Sequence, residues 1–304
     1  MKLAINLAKN HNGLTGTNPS VGCVIVNKNK LISFGTTNFN GRPHAETIAL
    51  NKNKKQIAGS TLYVTLEPCS HYGKTPPCVN AIIKSKVKKV NYAMDDSDIR
   101  SSGKSKKILN SKKILTKSGL VKNETKKLYY KYNYIKKKKY PYVIGKIACT
   151  ANLHIFKNNQ LITNEHSRKV SHLLRFKNQG ILTTYKTINN DNPRLTCRIK
   201  GLENFSPLRL VIDKNLRINL NSYLVKNSKK IKSYIFHSSK NIKKIKYLKQ
   251  KGIKLIFTDL NGNEYFDIKK IFKKIYEFDI HYLLVECGKS LTYNILKEKL
   301  FNEF

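Results

Sequence analysis

Apolar positions follow a helical period at the N-terminus and a strand-like pattern soon after. Leu3, Leu7 and Ala4, Ala8 recur four apart, which predicts an amphipathic first helix. Residues 21–26 and 31–35 are short Val/Ile-rich runs flanking Asn27-Lys28-Asn29-Lys30, the pattern of a hairpin with a polar turn. A loop containing Gly41 and Pro43 leads to a predicted helix over 44–50. Residues 61–66 read as a buried strand ending at Glu67-Pro68-Cys69. Pro77 suits a first helical turn, so Cys78 should open a helix through 79–83, and 87–94 is the next strand. The order helix, hairpin, helix, strand, helix, strand predicts a three-layer α/β domain.

A basic, Tyr-rich helix over 123–139 stops before Pro141, and the domain boundary is placed there, giving domains 1–141 and 142–304. The second part alternates again, with predicted strands at 142–147, 180–183, 208–212, 253–257 and 281–286 and helices near 165–175 and 266–278. That pattern predicts a second α/β domain, and 304 residues suffice for two cores. No internal repeat is visible.

Composition narrows the classes. Hydrophobic residues make up 40% of the chain, yet no apolar run approaches the ~20 residues of a membrane helix. The N-terminus lacks the apolar stretch of a signal peptide. Six scattered cysteines form no dense disulfide framework, so a cytoplasmic location is expected. The net charge of +41 suggests nucleic acid, but the excess is spread evenly. Residues 1–141 carry 28 basic and 6 acidic side chains, and the remainder 31 and 12, nearly all the bases being Lys. A binding patch would be local and richer in Arg. No specific nucleic-acid partner and no membrane are expected.

The chemistry concentrates in 41–78. Pro43-His44-Ala45-Glu46 and the run from Glu67-Pro68-Cys69 to Pro77-Cys78 offer the imidazole of His44, the thiols of Cys69 and Cys78 and the carboxylate of Glu46. Three such ligands leave a fourth tetrahedral position for water, and a Glu outside the ligand set can move that water's protons. Residues two apart do not share a helix face, so His44 must stand at the helix entry with Glu46 in its first turn. Singly, His44 or either cysteine is an ordinary loop or core residue. Together, with Glu46 in register and Pro68 before Cys69, they point to zinc. Cys23, inside an apolar run, reads as a small core residue.

These stretches, with Thr15-Gly16-Thr17-Asn18-Pro19-Ser20-Val21-Gly22-Cys23, resemble the bifunctional pyrimidine deaminase/reductase family of riboflavin biosynthesis. The long Cys-Ser-His-Tyr-Gly-Lys-Thr-Pro-Pro-Cys loop marks that branch of the zinc deaminases. A transfer-RNA deaminase would use a two-residue cysteine spacing. The resemblance implies an N-terminal cytidine-deaminase-like α/β/α domain and a C-terminal dihydrofolate-reductase-like α/β domain. It implies the substrate 2,5-diamino-6-ribosylamino-4(3H)-pyrimidinone 5′-phosphate, zinc on His44, Cys69 and Cys78, and Glu46 as proton shuttle. Asn18, His71 and Lys74 fall on substrate-binding positions, and Asp96 is a further candidate in an altered loop, where Asp98 replaces an Asn and two prolines are lost.

In the second domain Lys146, Thr163, Arg175, Asp191, Arg198 and Glu286 resemble reductase landmarks, and the resemblance implies NADPH. Other landmarks differ. Thr150-Ala151-Asn152-Leu153 stands where the family has Ser-Leu-Asp-Gly, Thr184-Tyr185-Lys186-Thr187 where it has Gly-x-Gly-Thr, and Cys287 in place of a Gly. The expectation is therefore an incomplete, degenerate reductase that handles NADPH poorly. Its sheet edge would be left bare, open to a homo-oligomeric partner. The rival readings are a transfer-RNA deaminase and a zinc-stabilised, non-catalytic interaction module.

Overall fold

The computed structural model describes residues 1–150 and 162–304. They separate into two units, Met1–Lys138 and Lys139–Phe304.

In the first unit, α1 (Lys2–Asn10) precedes the hairpin of β1 (Gly22–Asn27) and β2 (Lys30–Thr36). Asn27 pairs with Lys30, so the strands consume the ends of the polar stretch and leave a two-residue turn. Lys28 and Asn29 both take positive φ there, 46° and 61°, which matches the strand twist. Next come α2 (Ala45–Asn51), β3 (Thr61–Val64), α3 (Cys78–Lys84), β4 (Lys89–Tyr92), α4 (Lys104–Ser111), β5 (Leu115–Ser118), α5 (Lys122–Leu128) and α6 (Tyr130–Lys138). The sheet order is β2-β1-β3-β4-β5, with β1 antiparallel to both neighbours and β3, β4 and β5 parallel.

Alternation along β1 assigns the layers. Gly22 meets α1 so closely that a Cβ would strike the Ala4 carbonyl, while Gly35, paired with Cys23, would strike the Ala45 carbonyl of α2. Cys23, Ile25, Leu62, Val64, Val90 and Tyr92 form a buried core with Ala45, Ala49, Val79 and Ile82 from α2 and α3. Two elements had little signal in the sequence. The edge strand β5 is Leu-Thr-Lys-Ser, largely exposed and without alternation. The predicted helix over 123–139 is broken at Tyr129 (φ −98°, ψ 10°), whose hydroxyl donates to the Ser20 carbonyl.

The second unit runs β6 (Tyr142–Gly145), α7 (Glu165–Lys177), β7 (Gly180–Thr184), α8 (Tyr185–Asp191), β8 (Leu208–Ile212), α9 (Tyr223–Lys226), β9 (Ser233–His237), α10 (Ile242–Gln250), β10 (Lys254–Phe257), α11 (Ile268–Glu277), β11 (Tyr282–Val285) and α12 (Lys289–Lys297). Six strands lie parallel in the order β10-β9-β8-β7-β11-β6. Both faces are covered, and alternate residues separate into two cores. Leu182, Leu210, Phe236 and Leu283 join one, Ile181, Val211, Ile235 and Leu284 the other. The sequence reading lacked β9 and the helices α8, α9, α10 and α12, because short, Lys-studded segments carry weak periodicity.

The expected bare edge is not there. Beyond β6, Gly145 N–H donates to the Glu303 carbonyl (2.8 Å), and Asn302 N–H donates to the Val143 carbonyl (2.9 Å). Phe301 and Phe304 fill the space over Gly145. The terminal residues therefore satisfy the outer groups of β6, and the edge argument for a homo-oligomer loses its basis. Among the described residues no helix is long and apolar enough to cross a membrane.

Candidate active site

His44 immediately precedes α2 in an extended conformation (φ −70°, ψ 157°), and Glu46 lies buried in the first turn. Arg42 is held extended (φ −148°, ψ 146°), as a residue before proline must be. That entry lets an imidazole and a carboxylate two residues apart approach one place. Cys69 follows β3, and Cys78 is the first residue of α3. The Cys78 amide donates to Cys69 Sγ (3.2 Å), and the Val79 amide to the Cys69 carbonyl (3.2 Å), which draws the two cysteines together across the long loop.

His44 Nδ1 lies 3.3 Å from Cys78 Sγ and 3.6 Å from Cys69 Sγ. All three ligand atoms fall within 4.8 Å of one another. One soft-to-borderline cation with Zn–S near 2.3 Å can bridge such a set, and Cys₂His is a zinc donor set. The residues fit zinc. Their electrostatics agree: Cys69 is pulled down to about 4, first by the hydrogen bond from the Cys78 thiol and then, against burial, by His44. Cys78 is pushed up by the same pairing and by burial. A bound cation favours the thiolate form of both cysteines. Burial pushes Glu46 up to about 7, opposed by His44.

His44, Glu46 and Cys69 open onto a cavity of about 380 Å³. Asn18, His71, Lys74 and Asp96 all line it, as do Arg42, Glu67, Asp98, Arg100, Tyr132 and Lys136. Asn18 donates to the Gly41 carbonyl (3.0 Å). Glu67 is buried and accepts the amides of Asp96 (3.2 Å), Gly103 (2.9 Å) and Ser105 (3.1 Å) and the Ser105 hydroxyl (2.8 Å). The corner that supplies Cys69 thus also suspends the 96–105 segment. Asp96 accepts the Asp98 amide and the Tyr132 hydroxyl, each at 3.0 Å, while burial raises its pKa. Asp98 takes Arg100 in a fork (2.9 and 2.6 Å) and Lys136 at 3.1 Å. His71 Nδ1 lies 2.9 Å from the Ser101 hydroxyl; burial, then the nearby Arg100, lower its pKa.

In the second unit a separate cluster sits at the carboxyl ends of β6 and β11. Arg175 grips Glu286 in a fork (2.9 and 2.8 Å), and Lys146 Nζ stands 3.9 Å from the same carboxylate. Arg175 Nη1 donates to the Thr196 carbonyl (3.3 Å), near which lies His172 Nδ1 (3.1 Å), and Arg198 donates to the Thr196 hydroxyl (3.4 Å). Strand order reverses between β7 and β11, where open parallel sheets bind ligands.

Residues 1–94 match the cytidine and deoxycytidylate deaminase zinc-binding region, and residues 145–304 match the RibD C-terminal domain. The chain is 36% identical to the riboflavin biosynthesis protein RibD of Aquifex aeolicus over 99% of its own length and 83% of that protein's. It belongs to the RibD family of bifunctional riboflavin-biosynthesis proteins. Among solved structures, RibD of Acinetobacter baumannii (form 2) superposes with a TM-score of 0.87 at 29% identity, covering 99% of this chain and 82% of that one. A deaminase/reductase from Thermotoga maritima gives 0.82 at 30% identity, covering 98% and 82%.

The RibD match corrects one expectation outright. The RibD C-terminal domain model matches residues 145–304, and the described residues there form a six-stranded sheet, so a truncated reductase is not supported. Of its expected residues, Lys146, Arg175, Arg198 and Glu286 gather around Glu286 and Thr196. Thr163 offers its carbonyl to Arg168 (2.8 Å), and Asp191 ends α8 with an exposed side chain. Ala151, Asn152 and Leu153 lie outside the described residues.

The RibD reductase domain implies NADPH. At the turn read as the cofactor loop, β7 passes directly into α8, and Thr184 Oγ1 accepts the Thr187 amide (3.5 Å). Thr184 has φ −118°, which any residue adopts, so the lost glycine costs the backbone nothing. What changes is space: side chains at 184 and 186 stand where bare backbone would admit a pyrophosphate. This turn does not fit the cofactor as the glycine-bearing one does.

Sequence reasoning did not single out Arg42, Glu67, Arg100, Tyr132, Lys136 or His172. Lys136 lay inside a lysine run and Arg42 beside the metal motif, so neither carried a distinguishing signal. Glu67 was the legible one: an acid at a strand end facing amides 29 to 38 residues away is visible only as part of the Glu-Pro-Cys run.

Proposed function

We propose that the first unit deaminates 2,5-diamino-6-ribosylamino-4(3H)-pyrimidinone 5′-phosphate. The observation that carries this reading is the convergence of His44, Cys69 and Cys78 beside buried Glu46, at a cavity lined by Asn18, His71, Lys74 and Asp96. A zinc ion held by the three ligands supplies a Lewis acid that makes water nucleophilic near neutral pH. Glu46 takes a proton from the attacking water and hands it to the ring nitrogen next to the amine-bearing carbon. It then takes the proton of the newly attached hydroxyl and delivers it to the departing amine, so that the C–N bond breaks with release of ammonia and a ring carbonyl remains. Burial of Glu46 raises its proton affinity, which suits a group that must take up and release protons. Asn18, His71 and Asp96 orient the pyrimidine through hydrogen bonds. The second unit is read as the ribose-reducing partner activity, with Lys146, Arg175, Arg198 and Glu286 as its polar group.

Glu46→Gln keeps about one zinc per chain and lowers ammonia release by about 10²- to 10⁴-fold. Unchanged turnover in that variant would sink the mechanism. Assaying transfer RNA beside the pyrimidine phosphate separates the nucleic-acid rival, since eight residues between the cysteines predict turnover of the small molecule alone. An interaction module would bind zinc and turn over neither.

A further inference from the structure

The cavity's acids are engaged. Glu67 takes four donors, Asp98 is shared by Arg100 and Lys136, Asp96 takes an amide and a phenol, and Glu46 stands beside the metal ligands. The cations divide differently. Arg100 and Lys136 both pair with Asp98, whereas among the described residues no carboxylate pairs with Arg42 or Lys74. The Arg42 guanidinium is pressed instead against the loop that carries Lys74: it donates to the Thr75 hydroxyl, and its Nη2 would lie 3.5 Å from a Cβ on Gly73. Its remaining neighbour is His44 Nε2, 3.2 Å from Nη1. An orienting role for that contact fails on chemistry. Nδ1 is the atom facing both thiols, so when it serves as ligand the ring proton sits on Nε2 and needs an acceptor, which a guanidinium never is.

We propose that Arg42 is a specificity-determining residue that, together with Lys74, receives the phosphate of the substrate at the 73–75 side of the cavity. The assignment rests on the deaminase reading for its substrate and on the cavity's unspent charge for its place. A guanidinium fork matches phosphate oxygens, and a lysine beside it adds a second charge.

The test compares wild type, Arg42→Ala and Arg42→Lys on the pyrimidine phosphate and on its dephosphorylated form, with zinc content measured for each. Arg42→Ala lowers the preference for the phosphorylated over the dephosphorylated form, as a ratio of kcat/KM, by about 10- to 100-fold, carried in KM, with zinc retained. Arg42→Lys restores part of it, because charge returns without the fork. Calorimetric titration with ribose 5-phosphate gives a second reading that needs no turnover: wild type binds it and Arg42→Ala binds it at least about tenfold more weakly. An unchanged preference, loss of zinc from Arg42→Ala, or ribose 5-phosphate binding that is absent in wild type or indifferent to the change each overturns the proposal. Wild type that binds ribose 5-phosphate through Arg42 yet releases no ammonia overturns the deaminase reading instead.

Discussion

Asp98 shows how a substituted position can be rebuilt by its neighbours. Its carboxylate is held well below the usual range, first by the Arg100 hydrogen bonds and then, against burial, by the Arg100 amide and Lys136. A carboxylate whose folded pKa is depressed contributes stability that is full above its unfolded value, near 4, and is lost as pH falls through the folded one. Arg100 is substantially exposed, so solvent screens part of the gain. Asp98→Asn should therefore melt below wild type at pH 7, and the two curves should converge as the pH is lowered from about 4 toward 2. A gap independent of pH would mean that the ionised pair contributes nothing. The same residue pairs with Arg100 and Lys136, while among the described residues no carboxylate pairs with Arg42 or Lys74.

At the scale of elements, β8 and α9 are joined by a buried charge. Arg209 has no exposed surface, and it donates to the Ser233 hydroxyl (2.9 Å) and to the carbonyls of Leu224 (3.2 Å), Asn227 (3.3 Å) and Ile231 (2.8 Å). The guanidinium, from the neighbouring strand, bonds the Leu224 carbonyl inside α9 and the Asn227 and Ile231 carbonyls just after it. Burial pulls Arg209 down to about 10, still charged at neutral pH. Arg209→Met preserves length and removes every donor, leaving three carbonyls without this partner, at a cost of about 3 kcal/mol. Thermal melting should fall by about 10 °C; a shift of one or two degrees would show that water or relaxation replaces the side chain.

On the scale of the molecule, the two candidate sites belong to different units. The zinc ligands, Glu46 and the cavity all lie in residues 1–138, so ammonia release should proceed at full rate without NADPH, measured by coupled ammonia detection. The β7–α8 turn argues that NADPH oxidation in the presence of deaminated product is slow. With the β6 edge covered, the side chains at 184 and 186 are the remaining obstruction, and Thr184→Gly with Lys186→Gly should raise NADPH oxidation about tenfold or more. Wild type that oxidises NADPH stoichiometrically with reduced product, at a rate the double change does not raise, would contradict that view of the turn.

Sequence alone determined the zinc ligands, the entry position of His44 and the two α/β units, because each rests on local rules. Proline restricts its neighbour, residues two apart cannot share a helix face, and apolar runs of strand length stay buried. It did not determine β5, β9 or the short Lys-rich helices, whose order comes from packing against a sheet rather than from their own periodicity. Nor could it assign the charges of the cavity. Which of Arg42, Lys74, Arg100 and Lys136 is neutralised depends on Asp98 meeting a helix 38 residues further on. The outer edge of the second sheet was likewise decided by tertiary structure, since Asn302 and Glu303 reach Val143 and Gly145 across some 160 residues. Hydrogen bonds and ion pairs between distant segments leave no period in a sequence, and only the folded chain shows which side chains they consume.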